Sequence, residues 1–522
     1  MTAPSVHEAF DLRDLLPAPE PREQKWVKVI DQTKCIGCHA CTIACKSENE
    51  VPLSVTRTYV KSVDVGAFPQ AHRAFQVTRC NQCDDAPCVT ACPTSAMFAR
   101  PDGIVDFDKS LCIGCKACMA ACPYDAIFIN PQDHSAEKCN FCSHRIDAGL
   151  EPACVVVCPV EAILVGDLAD PASKVSDIVH RDGVEVRRPE KETRPKLFYK
   201  GATQTTLDPL AARRPEGGLF MWSEQGEFPQ QVTSGAPAPW NSSAAALLSY
   251  DVPHRAPWDW RVSLYTWTKS IAAGAYLAGL LVVLAGVAAS TSPLWLWAAP
   301  LIAGVSLAAT GAILIWDLEH PERFHYVFTH PQWRSWLVRG AFVIGAYSLA
   351  LGLHVLLGVA GADEPQPWLG VVGAPLAAAT AVYTAYLFAQ AKGRDLWQNP
   401  LLPPHLLVQA VLAGAAALLP FAAWLDDGAV ELLAWLVAGS ALTHLVFVFG
   451  EISLTHTTAH VHLAMRELTR GRYASFFWAG TALIVVALAA PWIGVAAAPF
   501  ALAGLLAYEH AYVQSGQAVP LA

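Results

Sequence analysis

CIGCHACTIACK, residues 35–46, sets Cys35, Cys38, Cys41 and Cys45 apart by two, two and three intervening residues. CIGCKACMAACP, residues 112–123, repeats that spacing with Cys112, Cys115, Cys118 and Cys122 and adds Pro123. Two further groups keep the frame but widen its middle gap, to four residues in Cys80, Cys83, Cys88 and Cys92 and to eleven in Cys139, Cys142, Cys154 and Cys158. A proline follows each of these two groups as well.

The spacing is that of bacterial ferredoxins, in which a tight loop turns three thiolates toward one iron–sulfur cubane. The fourth cysteine, carried beyond on a short helix, points away and completes a different cluster. Sixteen cysteines then divide into four 4Fe–4S clusters with no ligand left over. Zinc is the main competitor, but zinc sites are assembled from cysteine pairs, whereas every group here continues to a third and fourth cysteine. A disulfide framework belongs to small secreted domains. Here all sixteen cysteines lie between Cys35 and Cys158, and Met1–Glu23 is acidic and proline-containing, without the apolar core of a secretory signal or a twin arginine. Targeting is therefore expected from membrane spans.

Residues 27–165, through CIGCHACTIACK, CNQCDDAPCVTACPTSAM, CIGCKACMAACPYDAI and CNFCSHRIDAGLEPACVVVCPVEAI, resemble the four-cluster subunit of dimethyl-sulfoxide, polysulfide and tetrathionate reductases. The resemblance implies a pairing of groups: Cys35, Cys38 and Cys41 with Cys158; Cys139, Cys142 and Cys154 with Cys45; Cys80, Cys83 and Cys88 with Cys122; Cys112, Cys115 and Cys118 with Cys92. No ligand position is replaced, so no three-iron cluster is expected. The domain reads as a wire for single electrons, with no nucleophile or nucleotide loop. His39, His134 and His144 read as surface or supporting residues.

The expected fold is an α+β N-terminal domain of double bacterial-ferredoxin type over residues 25–185, behind an N-terminal extension at 1–24. A Pro/Gly/Ser-rich connector at 186–257 leads to an all-α membrane bundle of eight transmembrane helices at 258–522. The bundle accounts for a hydrophobic content of 53%. Eight apolar stretches are long enough to cross a hydrocarbon core of roughly 30 Å: 262–288, 294–316, 336–359, 367–391, 404–426, 429–451, 474–490 and 492–513. An even number returns the C-terminus to the side of the cluster domain. Loops on that side hold Arg323, Arg334, Arg339, Lys392, Arg394, Arg466, Arg470 and Arg472, whereas the opposite loops hold Asp363, Glu364, Asp426, Asp427 and Glu431 and no Lys or Arg. By the positive-inside rule the cluster domain is expected in the cytoplasm. The net charge of −9 and the absence of a basic run argue against a nucleic-acid partner.

YTWTKSIAAGAYL (265–277), DLEHPERFHYVF (317–328), WRSWLVRGAF (333–342) and RELTRGRYASFFWAG (466–480) make the membrane half similar to the NrfD-like anchor of polysulfide reductase. That resemblance implies electron exchange with membrane quinone, menaquinone or ubiquinone, without haem. It also implies a separate catalytic subunit bearing a molybdopterin-type cofactor; no residue of this chain reads as a pterin ligand. Independently, His354 and His444 sit toward opposite membrane faces, which does not suit a haem held by two histidines.

A quinone headgroup needs hydrogen-bond partners and a proton route in an apolar pocket near the last cluster. Ionisable residues at span edges are costly and often functional. Tyr265, Asp317 and His320 are the candidates for direct quinone or proton roles, with Trp267, Lys269, Arg323, Glu451 and His456 as further members of the site. Competing structural readings pair Arg323 with Asp317, anchor Trp267 at the interface and let Lys269 snorkel outward. His354, Tyr383, Gln409 and His444 read as packing or helix–helix contacts. Two other functions use the same parts: a quinol dehydrogenase feeding a cytochrome, and a redox-linked ion translocator.

Overall fold

The computed structural model describes residues 24–66, 68–213, 246–361 and 366–522. Most of the expected extension at 1–24, the middle of the connector at 214–245, and Asp363 and Glu364 lie outside the described residues.

The N-terminal half rests on two sheets and two hairpins. In the first sheet β1 (Trp26–Asp31) pairs antiparallel with β8 (Ile163–Asp167) and parallel with β10 (Leu197–Lys200), beyond which lies β9 (Val184–Glu185). Val27, Val29 and Ile30 of β1 are fully buried, because strands on both sides and the amphipathic α6 (Lys174–Arg181) cover it. The second sheet joins β2 (Thr58–Val65) to β3 (His72–Arg79) and to β11 (Ala246–Tyr250). Hairpins β4–β5 (Met97–Ala99 and Val105–Phe107) and β6–β7 (Ile127–Ile129 and Ala136–Lys138) flank the middle cysteine groups. Strands β10 and β11 and the short α7 (Gln204–Leu207) fall within the stretch read as connector. Its described parts are thus built into the sheets, since their alternating apolar residues, such as Leu197 and Tyr199, find buried partners there.

Each cysteine group runs into a short helix: α1 (Ala40–Glu48), α2 (Pro87–Ala91), α3 (Ala117–Ala121) and, in the fourth group, α4 (Ser143–Asp147) and α5 (Ala153–Val156). Proline disfavours helical backbone in the residue before it. Cys92 and Cys122 accordingly close α2 and α3 with extended ψ angles of 122° and 116°. That turns their thiols away from the loop that begins the group.

The C-terminal half is helical: α8 (Trp260–Leu284), α9 (Ala299–Trp316, preceded by a wide turn at Leu294–Ala298), α10 (Tyr326–Thr329), α11 (Trp336–Val359), α12 (Gln366–Ala389), α13 (Leu402–Leu425), α14 (Gly428–Ser453), α15 (Ala459–Thr469), α16 (Ala474–Ala487), α17 (Ala490–Ile493) and α18 (Ala497–Ala518). Among the described residues seven segments are long and apolar enough to span a membrane, the last joining α17 and α18 as Ala490–Ala518. The stretch expected as the seventh span forms α16, of 14 residues. At 1.5 Å per residue it is about 21 Å long, short of the ~30 Å core.

Small residues hold the bundle together, as expected where no hydrophobic effect separates helix from lipid. At the crossing of α8 and α13, a Cβ on Gly274 would sit 1.6 Å from the Ala410 carbonyl oxygen, and one on Gly414 would sit 1.8 Å from the Gly274 carbonyl carbon. The packing of α8, α9, α11 and α12 is repeated by α13, α14, α16 and α18, and α8 and α13 form the central contact between the two sets.

The cluster-binding half sits directly on the bundle. Gly114 adopts φ +69°, and a Cβ there would meet the Glu319 backbone nitrogen at 2.9 Å, so this loop approaches the end of α9 as only glycine permits. Ser335 Oγ donates to the Ala91 carbonyl (2.8 Å), Trp258 Nε1 to the Cys115 carbonyl (3.3 Å) and Arg187 to the Leu521 carbonyl (3.0 Å).

Candidate functional site: four cysteine sets and a cavity at the membrane edge

None of the sixteen cysteines is paired in a disulfide. Cys35, Cys38, Cys41 and Cys158 line one small cavity, and Cys92, Cys112, Cys115 and Cys118 line another. Cys45 lies within electrostatic range of Cys139, Cys142 and Cys154, and Cys88 within range of Cys80, Cys83 and Cys122. The fold therefore brings together the same four sets that the pairing of groups calls for. Among the described residues, no three Cys, His, Asp or Glu side chains converge closely enough to hold a single metal ion.

The surroundings fit thiolates bound to a larger anionic centre. Backbone N–H groups donate to sulfur at Cys80 (from Gln82, 3.4 Å), Cys92 (Met97, 3.4 Å), Cys112 (Ala136, 3.3 Å) and Cys158 (Ala162, 3.2 Å). Asn49 Nδ2 lies 3.5 Å from Cys142 Sγ and 3.7 Å from Cys45 Sγ, bridging two groups of one set. Arg79 Nη1 donates to Cys154 Sγ at 2.9 Å. Burial pushes the Cys154 thiol up, but the Arg79 guanidinium and Lys28 ammonium outweigh it and bring it down to about 7.

Beyond Cys115 a cavity of about 260 Å³ opens between the cluster-binding half and α8, α9, α11 and α12. Its wall is mostly aliphatic and aromatic, including Trp258, Phe324 and Phe328, and its polar groups are Tyr265, Tyr383 and Asp317. Asp317 caps the C-terminus of α9 and lies 3.5 Å from Lys116 Nζ and 3.3 Å from Arg261 Nη2. Burial drives its carboxyl up to about 6, against the pull of Lys116 and Arg261.

Of the candidates read from sequence, Tyr265 and Asp317 line this cavity, and the others do not. His320 turns to the cluster-binding half, with Nε2 2.9 Å from the Asp133 carbonyl and Nδ1 3.0 Å from Glu322. Arg323 does not pair with Asp317; it donates to the Lys109 and Cys112 carbonyls at 3.1 and 3.0 Å, since the loop after α9 is drawn under the third cysteine group. Trp267 donates to the Leu502 carbonyl (2.9 Å) between helices, which is no interfacial anchor. Lys269 does not snorkel: fully buried, it donates to the Ala381 carbonyl and Thr384 Oγ1, both at 2.8 Å. Glu451 accepts from Asn399 (3.0 Å) in the other helix set, and His456 Nε2 is buried without a protein partner. His444 Nδ1 lies 2.8 Å from His405 Nε2, and His354 Nδ1 3.1 Å from Tyr276 Oη.

Sequence reasoning set Tyr383 aside as packing and missed Lys116, Arg261 and Glu509. Lys116 follows a cysteine in a loop, where nothing local signals a partner 201 residues away. An acid within the last span was visible at Glu509, and that was the signal to use.

Residues 71–168 match a 4Fe-4S dicluster domain, and residues 250–517 match the family described as polysulphide reductase, NrfD. The B component of the tetrathionate reductase of Salmonella typhimurium is 41% identical over 219 residues, covering 40% of this chain and 85% of the relative. The B component of the polysulfide reductase of Wolinella succinogenes is 42% identical over 178 residues, covering 34% of this chain and 93% of the relative. The arsenate respiratory reductase iron-sulfur subunit ArrB of a Shewanella species is 37% identical over 219 residues, covering 33% and 94%. Cysteine loops of the dicluster type and a multi-pass helical half thus stand on one polypeptide, which belongs to the NrfD polysulphide reductase family and is an iron–sulfur electron-transfer component of a membrane oxidoreductase.

Proposed function

We propose that the chain carries electrons between a molybdopterin-type catalytic subunit and membrane quinone held in the cavity beside Cys115. The observation that carries this reading is a shared wall: Cys115 lines both a four-cysteine set and the apolar cavity that contains Tyr265, Tyr383 and Asp317. Four 4Fe–4S clusters, ligated by the four sets, supply one-electron transfer at potentials set by hydrogen bonds, charge and burial. The sets adjoin in order, with Cys41 beside Cys154, Cys139 beside Cys80 and Cys88 beside Cys118.

The protein's own residues do the rest. The apolar walls suit a quinone ring and its isoprenoid tail. Tyr265, Tyr383 and Asp317 are the groups able to meet quinone oxygens and move protons there. The catalytic subunit docks at the other end of the series, where Cys38 is exposed and Ile36, Ile43 and Val156 present more than half of their surface to solvent. Relatives named as components of multi-part reductases support such a partner. The bundle crosses eight times, with α16 and its flanking turns as the seventh crossing, and the basic loops hold the cluster-binding half in the cytoplasm.

The test is reoxidation of the dithionite-reduced chain by a soluble menaquinone analogue, followed by absorbance and EPR, beside Tyr265→Phe and Asp317→Asn. Fast reoxidation, slowed by about a hundredfold in the variants at unchanged iron content, is expected. A fully loaded chain that reacts with no quinone overturns the reading.

A further inference from the structure

Glu509 is a buried ionisable group that the site described above does not use. It sits on α18, 4% exposed in the middle of the bundle. One carboxyl oxygen meets Thr266 Oγ1 at 2.6 Å, and the Ser270 hydroxyl is a second hydrogen-bonding neighbour. Each of these hydroxyls has one proton and also a backbone carbonyl in reach, Ser263 for Thr266 at 2.7 Å and Thr266 for Ser270 at 2.9 Å. A lasting carboxylate served by two shared hydroxyls in such a place is expensive to hold, and a carboxyl that exchanges a proton with a neighbouring base is not.

That base is Lys269. Lys269 stands one helical turn along α8 from Thr266, the hydroxyl that meets Glu509, and lies within electrostatic reach of that carboxyl. Lys269 Nζ spends one N–H on the Ala381 carbonyl and a second on Thr384 Oγ1, and it lies 5.3 Å from the centre of the Tyr383 ring. The Thr384 hydroxyl is in turn the hydrogen-bond neighbour of both Tyr265 and Tyr383, the two phenols that line the cavity. A series of exchangeable protons therefore runs from the cavity to Lys269 through Tyr265 or Tyr383 and Thr384, with the Glu509 carboxyl in electrostatic reach of its far end.

We propose that Glu509 and Lys269 are the intramembrane proton store of the quinone site; the proposal rests on the reading of the cavity given above. Reduction of a quinone takes two electrons and two protons, and an O–H bond forms at each carbonyl oxygen. The electrons come from the reduced iron–sulfur half. One proton leaves a phenol of the cavity, which recovers it through Thr384 from the Lys269 ammonium. The resulting amine takes the proton of the Glu509 carboxyl, so the store ends one proton poorer. Asp317, also on the cavity wall and beside Lys116 and Arg261, gives the second proton from its carboxyl to the other oxygen and is left a carboxylate facing those two cations. Quinol oxidation runs the same transfers backward and fills the store.

The experiment uses the full chain in lipid vesicles with Glu509→Gln, which keeps the acceptor for Thr266, and Lys269→Met, with Tyr265→Phe beside them. Two measurements are made: reoxidation by a soluble naphthoquinone in H2O and D2O, and redox-induced infrared difference spectra in the carboxylic C=O region. Expected are a C=O band of wild type that shifts in D2O and is missing in Glu509→Gln, and reoxidation slowed at least about tenfold with a larger solvent isotope effect in both variants, while quinone affinity is unchanged. A Glu509→Gln protein that keeps the band and the wild-type rate, while Tyr265→Phe is slow, overturns the proton store and leaves the quinone site standing. Wild-type protein inert to the naphthoquinone overturns both.

Discussion

Lys116 Nζ, next in sequence to the cluster-ligand candidate Cys115, donates to the Asp317 carbonyl oxygen at 3.0 Å and lies 3.5 Å from the carboxylate of the same residue. One side chain thus ties the third cysteine loop to the end of α9 and to the rim of the cavity. Both side chains are about 10% exposed; without Lys116, Asp317 keeps Arg261 at 3.3 Å, whereas Glu319, 3.1 Å from Lys116 Nζ, loses its lysine. Lys116→Met is expected to cost about 1–2 kcal/mol, read as a lower midpoint of thermal unfolding in detergent, and the double variant Lys116→Met/Asp317→Asn to recover part of it.

His254 offers a pH-dependent contact outside the membrane. Its ring lies 2.7 Å from Asp125 and 3.1 Å from Asp251, and although burial opposes the charge, the two carboxylates raise its pKa to about 9. A pKa raised on folding contributes stability that is complete below the unfolded value of about 6.5 and is lost as pH rises through about 9. Unfolding midpoints of the wild type are expected to fall between about pH 6 and about pH 10. The fall is expected to be much smaller in His254→Gln.

Arg79 supplies a full charge 2.9 Å from Cys154. A nearby cation favours the more negative, reduced state of a bound cluster, so Arg79→Leu should lower one reduction potential by some tens of millivolts. Potentiometric EPR titration reads this directly, and an unchanged set of potentials would count against placing a cluster at Cys45, Cys139, Cys142 and Cys154.

Cys92→Ser and Cys158→Ser separate the two ends of the series. Each is expected to cost iron at one set only, against four irons and four sulfides for an intact 4Fe–4S site. Cys92→Ser should abolish reaction with quinone. Cys158→Ser should leave it fast but block electron entry from the partner.

Gly274→Ala tests the helix crossing. The added Cβ would lie 1.6 Å from the Ala410 carbonyl oxygen, so α8 and α13 must separate. A loss of about 3 kcal/mol is expected, visible as a lower unfolding midpoint in detergent, while Gly345→Ala, where a Cβ meets nothing, should be neutral.

Cysteine spacing, apolar runs and the residues at their ends were enough to read an iron–sulfur half and a membrane half, because each is a local property: a loop that presents three thiolates spans about seven residues, and a span about twenty. Tyr265 and Asp317 were legible for the same reason, as polar residues at the edges of apolar runs. What lies at one address in space was not. Only the tertiary structure put Lys116 and Arg261 against Asp317, swung His320 and Arg323 under the third cysteine loop, and set Tyr383 and Thr384 between the cavity and Lys269. These contacts join elements far apart in the chain. Which face of a uniformly apolar helix turns inward is decided by small-residue packing such as that of Gly274 on Gly414, which the pattern of hydrophobicity does not encode.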